Sequence, residues 1–361
     1  MSKIISIGTS VPAYQHRQDD IFDFMQRVYA LGEAEKRKLK FLYRHGGIDT
    51  RYSVLPDYSL PTKDWQFFSP SESLEPFPGL ERRMQCFHQN ALPLAMQATK
   101  QCLQQIASDK KITHLINVSC TGMSAPGLDL ELMEQLQLPL TTFRTSINFM
   151  GCYAAVHALK LADAFCKTDR QANVLIVCTE LCTLHFQKEF TTDNITSSLL
   201  FADGAAAVLV TADDDQPGLT IDQFYSTVSF KGKQDMAWEL SSKGFLMTLS
   251  GYVADLIEED FDTLVQSALE GSGLNKADIT HWCIHPGGKK ILEAIHKSLG
   301  FTNGQLQYSY DVLRDYGNMS SPTILFVLKE IMNAIHNQRA GKVFGAAFGP
   351  GLTMETFILS A

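Results

Sequence analysis

The sequence predicts an α/β protein assembled from two similar halves, and three observations carry that expectation. Short β-branched runs alternate with stretches of helical periodicity along the whole chain. The runs are apolar enough for largely buried sheets, which suits layered α/β packing. The acidic segment TADDDQPG (211–218) ends in Pro-Gly, a strong turn signal. It separates a first half, residues 1–215, from a second, residues 216–361, with the same strand–helix rhythm.

In the first half, KIISIG (3–8), THLINVSC (113–120), ANVLIVCTE (172–180) and AAAVLVTA (205–212) read as strands. Between them, LERRMQCFHQNALPLAMQATKQCLQQI (80–106) and CYAAVHALKLADAFCK (152–167) carry apolar residues at three- and four-residue spacing, the mark of helices. The second half opens with a strand at 218–230 and a helix at 252–273. A strand at 279–287 and helices at 289–300 and 320–337 follow, then closing strands KVFGAAFG (342–349) and LTMETFIL (352–359). The stretch 53–80, rich in Ser, Pro and aromatics, is expected to be irregular and to wrap the surface or cap a site.

Composition narrows the function. The 361 residues are 45% hydrophobic and 19% charged, enough for a large core. Net charge is −8 with no Lys/Arg cluster long enough to track phosphates, which argues against nucleic acid. The mixed run EAEKRKLK (33–40) reads as a solvated helix face, with local anion binding as the alternative. Eight cysteines without a CxxC pair suit reduced thiols in a cytoplasmic enzyme. MSKIISIGTSVPAY lacks the long apolar segment and small-residue cleavage site of a secretory signal, and the sequence has no run of 18 apolar residues, so neither leader nor membrane span is expected.

Three residues stand where chemistry is possible. Cys152 follows Gly151 and opens a helical run, where unpaired backbone N–H groups and the helix dipole favour a thiolate. The alternative is a small packed thiol. His285 ends an apolar strand before Pro-Gly-Gly, well placed to face a cleft, though a histidine bonded to backbone would look the same. His281, Cys283 and His285 alternate as metal ligands would, but no adjacent spacing supplies further ligands, so no metal is expected. Asn318 precedes a long apolar helix. It is either an N-cap or, with Ser320 and Ser321 capping instead, a free amide donor to an oxyanion.

Cys152, His285 and Asn318 lie 133 and then 33 positions apart. A thiolate, an imidazole and an amide donor suffice for acyl transfer through a thioester. Papain-like proteases use the same residue types in that order. Their Cys-Trp neighbourhood is missing here, and the alternating α/β chain suits them badly.

The motifs resemble the type III polyketide synthases, the chalcone- and stilbene-synthase-like enzymes, of a bacterial kind. The matching pieces are GCYA at Cys152, HPGGKKIL at His285, GNMSS at Asn318 and FGPGLTMET (348–356). FADGAAAV (201–208), SCTGMSAPGLD (119–129) and TELCTLHF (179–186) also look like that family, so the likeness spans nearly the whole chain. The resemblance implies a thiolase fold, five layers αβαβα from two similar halves, in a cytoplasmic homodimer. It implies that Cys152 carries a starter acyl group from an acyl-CoA. His285 and Asn318 then stabilise the enolate formed as malonyl-CoA loses carbon dioxide, and cyclisation releases the chain. No cofactor is implied, because decarboxylation needs neither metal nor redox group.

The resemblance further assigns Phe201 and Phe245 as aromatic gatekeepers and Ser320 as the asparagine's neighbour. Phe348, Gly349, Pro350 and Gly351 form the cavity floor, and Lys38 and Lys290 meet CoA. Cys120, Ala125, Cys182 and His185 replace the Thr, Met, Thr and Thr that line the cavity in plant chalcone synthases. Ala155, Val156 and Ala347 replace glycines, and Phe41 and His45 replace basic CoA contacts. These departures point away from a coumaroyl starter and towards a fatty acyl one, giving an alkylpyrone, an alkylresorcinol or a related phenolic product. The rival readings are a single condensation of the ketoacyl-carrier-protein synthase III kind and a catalytically silent scaffold of the same fold.

Overall fold

Among the described residues, nine strands join in one sheet, and their order explains the rhythm of the sequence. The computed structural model describes residues 1–361 other than 72, 105, 107–109, 303 and 339–340. The expected helix over 80–106 therefore includes one position, 105, outside the described residues. The first half runs β1 (Lys3–Ser10), β2 (Tyr14–Arg17), α1 (Gln18–Val28), α2 (Glu33–His45), β3 (Thr50–Ser53), α3 (Leu80–Leu103) and β4 (His114–Ser119). It continues with α4 (Leu128–Gln135), β5 (Phe143–Asn148), α5 (Ala154–Thr168), β6 (Asn173–Leu181), α6 (Thr192–Leu200) and β7 (Asp203–Thr211). The second half runs β8 (Leu219–Val228), β9 (Met236–Ser241), β10 (Gly244–Leu249), α7 (Val253–Glu270) and β11 (His281–Ile284). It closes with α8 (Lys289–Ser298), α9 (Gln307–Tyr316), α10 (Thr323–Gln338), β12 (Lys342–Gly349) and β13 (Thr353–Ser360).

The sheet order is β11-β12-β13-β8-β1-β7-β6-β4-β5. Outward from the seam between β1 and β8, each half repeats one plan. Its opening strand pairs antiparallel with its closing strand, which pairs antiparallel with the strand before it. The next neighbour outward is parallel. The seam itself is short, pairing Lys3 with Thr220 and Ile4 with Leu219.

Strand alternation builds the layers. On β7, Ala206, Val208 and Val210 face an inner core, while Ala205, Ala207 and Leu209 face the outer one. On β12, Val343 and Ala347 point inward and Phe344, Ala346 and Phe348 outward. Helices α5 and α10 fill the inner core, with strands of both halves against them. Helices α3, α7 and α8 cover the outer faces. The result is the five-layered αβαβα arrangement of a thiolase fold. Val156 and Leu159 of α5 are fully buried in its middle layer, each worth about 1.5–3 kcal/mol relative to exposure.

Some elements differ from the sequence expectation. Strand β5 lies at the sheet edge and exposes much of its length, so it lacks an apolar run. The β9–β10 hairpin is likewise mostly half-buried or exposed. Apart from position 72, which lies outside the described residues, the stretch 53–80 is irregular, as expected, but it is packed rather than draped. Trp65 and Phe68 pack against Phe24, and Phe68 against Phe186. The Asp57 carboxylate accepts the N–H groups of Gln66, Phe67 and Phe68.

Candidate active site

The two inner helices begin at one cavity of about 410 Å³, bordered by Cys152, His285 and Asn318 together. Cys152 lies on a 3₁₀ turn, Gly151–Tyr153, that leads into α5. The turn needs Gly151 for two reasons. Its φ is +73°, and a Cβ there would stand 2.4 Å from Pro350 Cδ. Gly349 answers from the other side, because a Cβ on it would meet the Tyr153 ring at 2.4 Å. The Gly151 N–H donates to Cys120 Sγ at 3.1 Å. The nucleophile's turn and the 348–351 loop are thereby interlocked.

Asn318 is fixed by its backbone on both sides of Phe201. Its N–H donates to the Leu200 carbonyl and its own carbonyl accepts from Ala202, both at 2.9 Å. Its side chain is oriented as well. Oδ1 accepts the Ser320 N–H at 2.8 Å, and Nδ2 donates to the Gly287 carbonyl at 3.2 Å. The Cys152 thiol reaches Oδ1 at 3.9 Å. Ser320, at φ +59°, turns the chain back so that this N–H can reach the amide. Thr323 receives the Met319 N–H at the start of α10, so Asn318 is not spent as a simple N-cap.

His285 is held where β11 ends, with its N–H on the Ala346 carbonyl at 2.8 Å. Both ring nitrogens are buried and, among the described residues, have no hydrogen-bond partner, an arrangement that costs stability and recurs at functional sites. Burial lowers its pKa to about 3. Burial also pushes the Cys152 thiol up to about 11, with a Ser320 hydrogen bond pulling it back and the Glu180 charge raising it. The low thiol pKa expected from the helix start is outweighed by desolvation. Desolvation thus favours the neutral thiol and the neutral imidazole. The alternating trio at 281–285 divides, since His281 lies near Tyr308 and Cys283 bonds the Ile324 carbonyl.

Phe201, Ser320, Cys120, Cys182, His185, Phe348, Gly349 and Pro350 border the same cavity, and Lys290 stands exposed at its mouth. Gly351 lies just beyond, at φ +75°. Phe245 does not reach the cavity. It is fully buried behind His185, ring centroids 4.1 Å apart. Two residues along β10, Met247 borders the cavity instead, paired across the hairpin with Trp238. Lys38 is exposed on α2 one turn before Phe41 and does not itself border the cavity, while Phe41 and His45 stack at its mouth. Ala125 borders a separate cavity of about 550 Å³ with Phe87 and Phe149. Ala155 and Val156 are inner-core packing, not cavity wall.

Sequence reasoning missed Glu180, a fully buried carboxylate. It accepts from the Cys120 N–H and the Ser321 hydroxyl, both at 2.9 Å. Burial, offset by these bonds, raises its pKa to about 7. The signal was one charged residue ending the apolar run ANVLIVCTE. Trp238 and Met247 were missed because their hairpin carries only the short apolar run Phe245-Leu246-Met247.

Comparison with known proteins agrees with this geometry. The family model for the N-terminal domain of chalcone and stilbene synthases matches residues 1–214, and that for the C-terminal domain matches 223–361. A Bacillus subtilis protein named as a chalcone synthase is 30% identical over 374 residues, covering 100% of this chain and 99% of its own. Polyketide synthase 1 of Dictyostelium discoideum is 30% identical across 98% of this chain, which spans 11% of that longer protein. Among solved structures, PKS-I of the brown alga Ectocarpus siliculosus superposes with a TM-score of 0.92 at 27% identity, covering 99% of this chain and 97% of its own. The C-terminal type III polyketide synthase domain of Steely1 from Dictyostelium gives 0.90 at 28%, covering 99% and 98%. With both halves matched in order and the likeness running end to end, the chain belongs to the chalcone and stilbene synthase family of type III polyketide synthases.

Proposed function

We propose that the protein repeatedly condenses malonyl-CoA onto a starter acyl group held as a thioester on Cys152. His285 takes the thiol proton as Sγ attacks the acyl-CoA carbonyl, and passes it to the departing CoA sulfur. Malonyl-CoA then breaks its carboxyl C–C bond, releasing carbon dioxide and leaving an enolate. His285 and the free N–H of Asn318 Nδ2 donate to the enolate oxygen, stabilising charge that grows in the transition state. The enolate carbon attacks the thioester and expels the Cys152 sulfur. After several rounds the chain closes into an alkylpyrone, an alkylresorcinol or a related phenolic ring. None of these steps calls on a metal or redox cofactor. Lys290, with Lys38 on the neighbouring helix, would meet CoA, and the working form is a cytoplasmic homodimer.

The observation that carries this reading is the shared cavity. Thiol, imidazole and oriented amide border one largely apolar space, where a carboxylate is disfavoured and its loss as carbon dioxide is favoured. The wall includes Leu199, Leu200, Met236, Leu249 and Val253, which suits an aliphatic starter better than a polar one. Product analysis with malonyl-CoA alone and with acyl-CoAs of graded length tests this. Turnover of long-chain starters is expected, and its complete absence would overturn the fatty-acyl preference. A requirement for carrier-protein-bound malonate would favour a single-condensation enzyme instead.

A further inference from the structure

Beside the main cavity lies a smaller chamber of about 30 Å³, room for roughly two water-sized groups. Cys182, Phe201 and Met247 border both spaces. The chamber's own wall includes Arg51 of β3, Gln187, and Ser197 of α6. Each of these three carries a buried polar atom with no hydrogen-bond partner among the described residues: Arg51 Nη2, Gln187 Oε1 and Ser197 Oγ. Arg51 and Gln187 are only 4% and 3% exposed.

The rest of the Arg51 side chain is held fast. Nε donates to Gln18 Oε1 at 3.0 Å and Nη1 to the Phe201 carbonyl at 2.6 Å. Its stem packs on Gly317, where a Cβ would stand 2.8 Å from Cγ and Cδ. Both acceptors are neutral. The Tyr43 hydroxyl lies near the guanidinium but is shared with Ser198. The Asp203 carboxylate acts on the guanidinium only through its field, because it accepts the N–H groups of Val54 and Thr183 and the Thr183 hydroxyl. An arginine does not shed its proton, and a buried cation without a touching anion is costly. Gln187 turns its Nε2 to the Lys243 and Phe245 carbonyls, which leaves Oε1 as the one acceptor of the trio.

We propose that this chamber binds one small monovalent anion of halide size, on Arg51 Nη2 and Ser197 Oγ, as the counterion of the buried arginine. Two donors face the ion, one of them charged, which makes the stronger kind of hydrogen bond. A water fills the remaining space and donates one hydrogen to the ion and the other to Gln187 Oε1. The site is separate from Cys152, His285 and Asn318 and does not depend on the reaction proposed above.

Melting midpoints of the full chain and of Ser197→Ala, in sodium bromide against sodium gluconate at one ionic strength, test this. Alanine suits helix α6, gluconate is too large for the chamber, and general salt effects cancel between the two proteins. Loss of the hydroxyl donor should weaken bromide binding about tenfold or more. The parent's lead over Ser197→Ala should therefore widen by about 2 °C when saturating bromide replaces gluconate. Crystals of the parent grown in bromide should show an anomalous peak within hydrogen-bond reach of Arg51 Nη2 and Ser197 Oγ. An unchanged lead overturns the proposal even beside such a peak, which would then record binding at crystal concentration only. A widened lead without the peak overturns it too, because the ion then sits elsewhere.

Discussion

Cys152, His285 and Asn318 illustrate how one cause, burial, acts on three residue types with different results. It favours the neutral thiol and the neutral imidazole, and it strengthens the bonds that fix the amide. Asn318 serves the enolate more than the acyl transfer. Asn318→Ala is expected to lower malonyl-CoA decarboxylation by roughly 10²–10³-fold, with a smaller effect on acylation of Cys152. Equal losses in both half-reactions would show that Asn318 acts only by holding the site together. The residue types of this trio were legible in the sequence. Glu180, which modulates the thiol from 0% exposure, was not, because a lone acid at a strand end looks like a surface residue.

At the scale of elements, the site depends on a lock between the turn before α5 and the loop after β12. Helix α5 and strand β12 were visible as periodic runs, but the lock was not, since it arises from two glycines and a proline meeting across the fold. Gly151→Ala is expected to cost roughly 1–2 kcal/mol for a left-handed alanine and a further 1–3 kcal/mol for overlap with Pro350. Pro350→Ala removes the ring atoms involved, so the double variant should lose less stability than the two single costs together, with a coupling of about 0.5–3 kcal/mol. Denaturant unfolding of the four proteins measures this, and strict additivity would refute the lock. The gatekeeper position shows a second limit of sequence reading. Phe245 and Met247 share a face of β10, and only the packing of His185 decides which one meets the cavity.

Across the whole molecule, the repeated strand order was foreshadowed by a strand–helix rhythm, whereas the edge strand β5 and the β9–β10 hairpin were not. Sequence periodicity records burial, and those strands are buried on at most one face. Burial also ties stability to pH. His285 stays neutral down to about pH 3 in the fold, while an unfolded histidine takes up a proton near 6.5. The unfolded chain thus binds more protons below pH 6.5. The histidine's stabilising share is complete above that value and drains away as pH falls towards 3. Glu180, raised to about 7, works in the opposite direction over its own range. The difference between parent and His285→Asn isolates the histidine. Between pH 7 and pH 5 the parent should lose about 2 kcal/mol more than the variant. Equal losses would mean that the imidazole is not held neutral by burial.

The central claim is that Cys152 carries the acyl chain, and intact-mass spectrometry after brief exposure to a medium-chain acyl-CoA tests it directly. One added acyl mass per chain is expected, located on the peptide bearing Cys152, cleaved by hydroxylamine and absent in Cys152→Ala. An unmodified protein, or an acyl group that persists in Cys152→Ala, would contradict it.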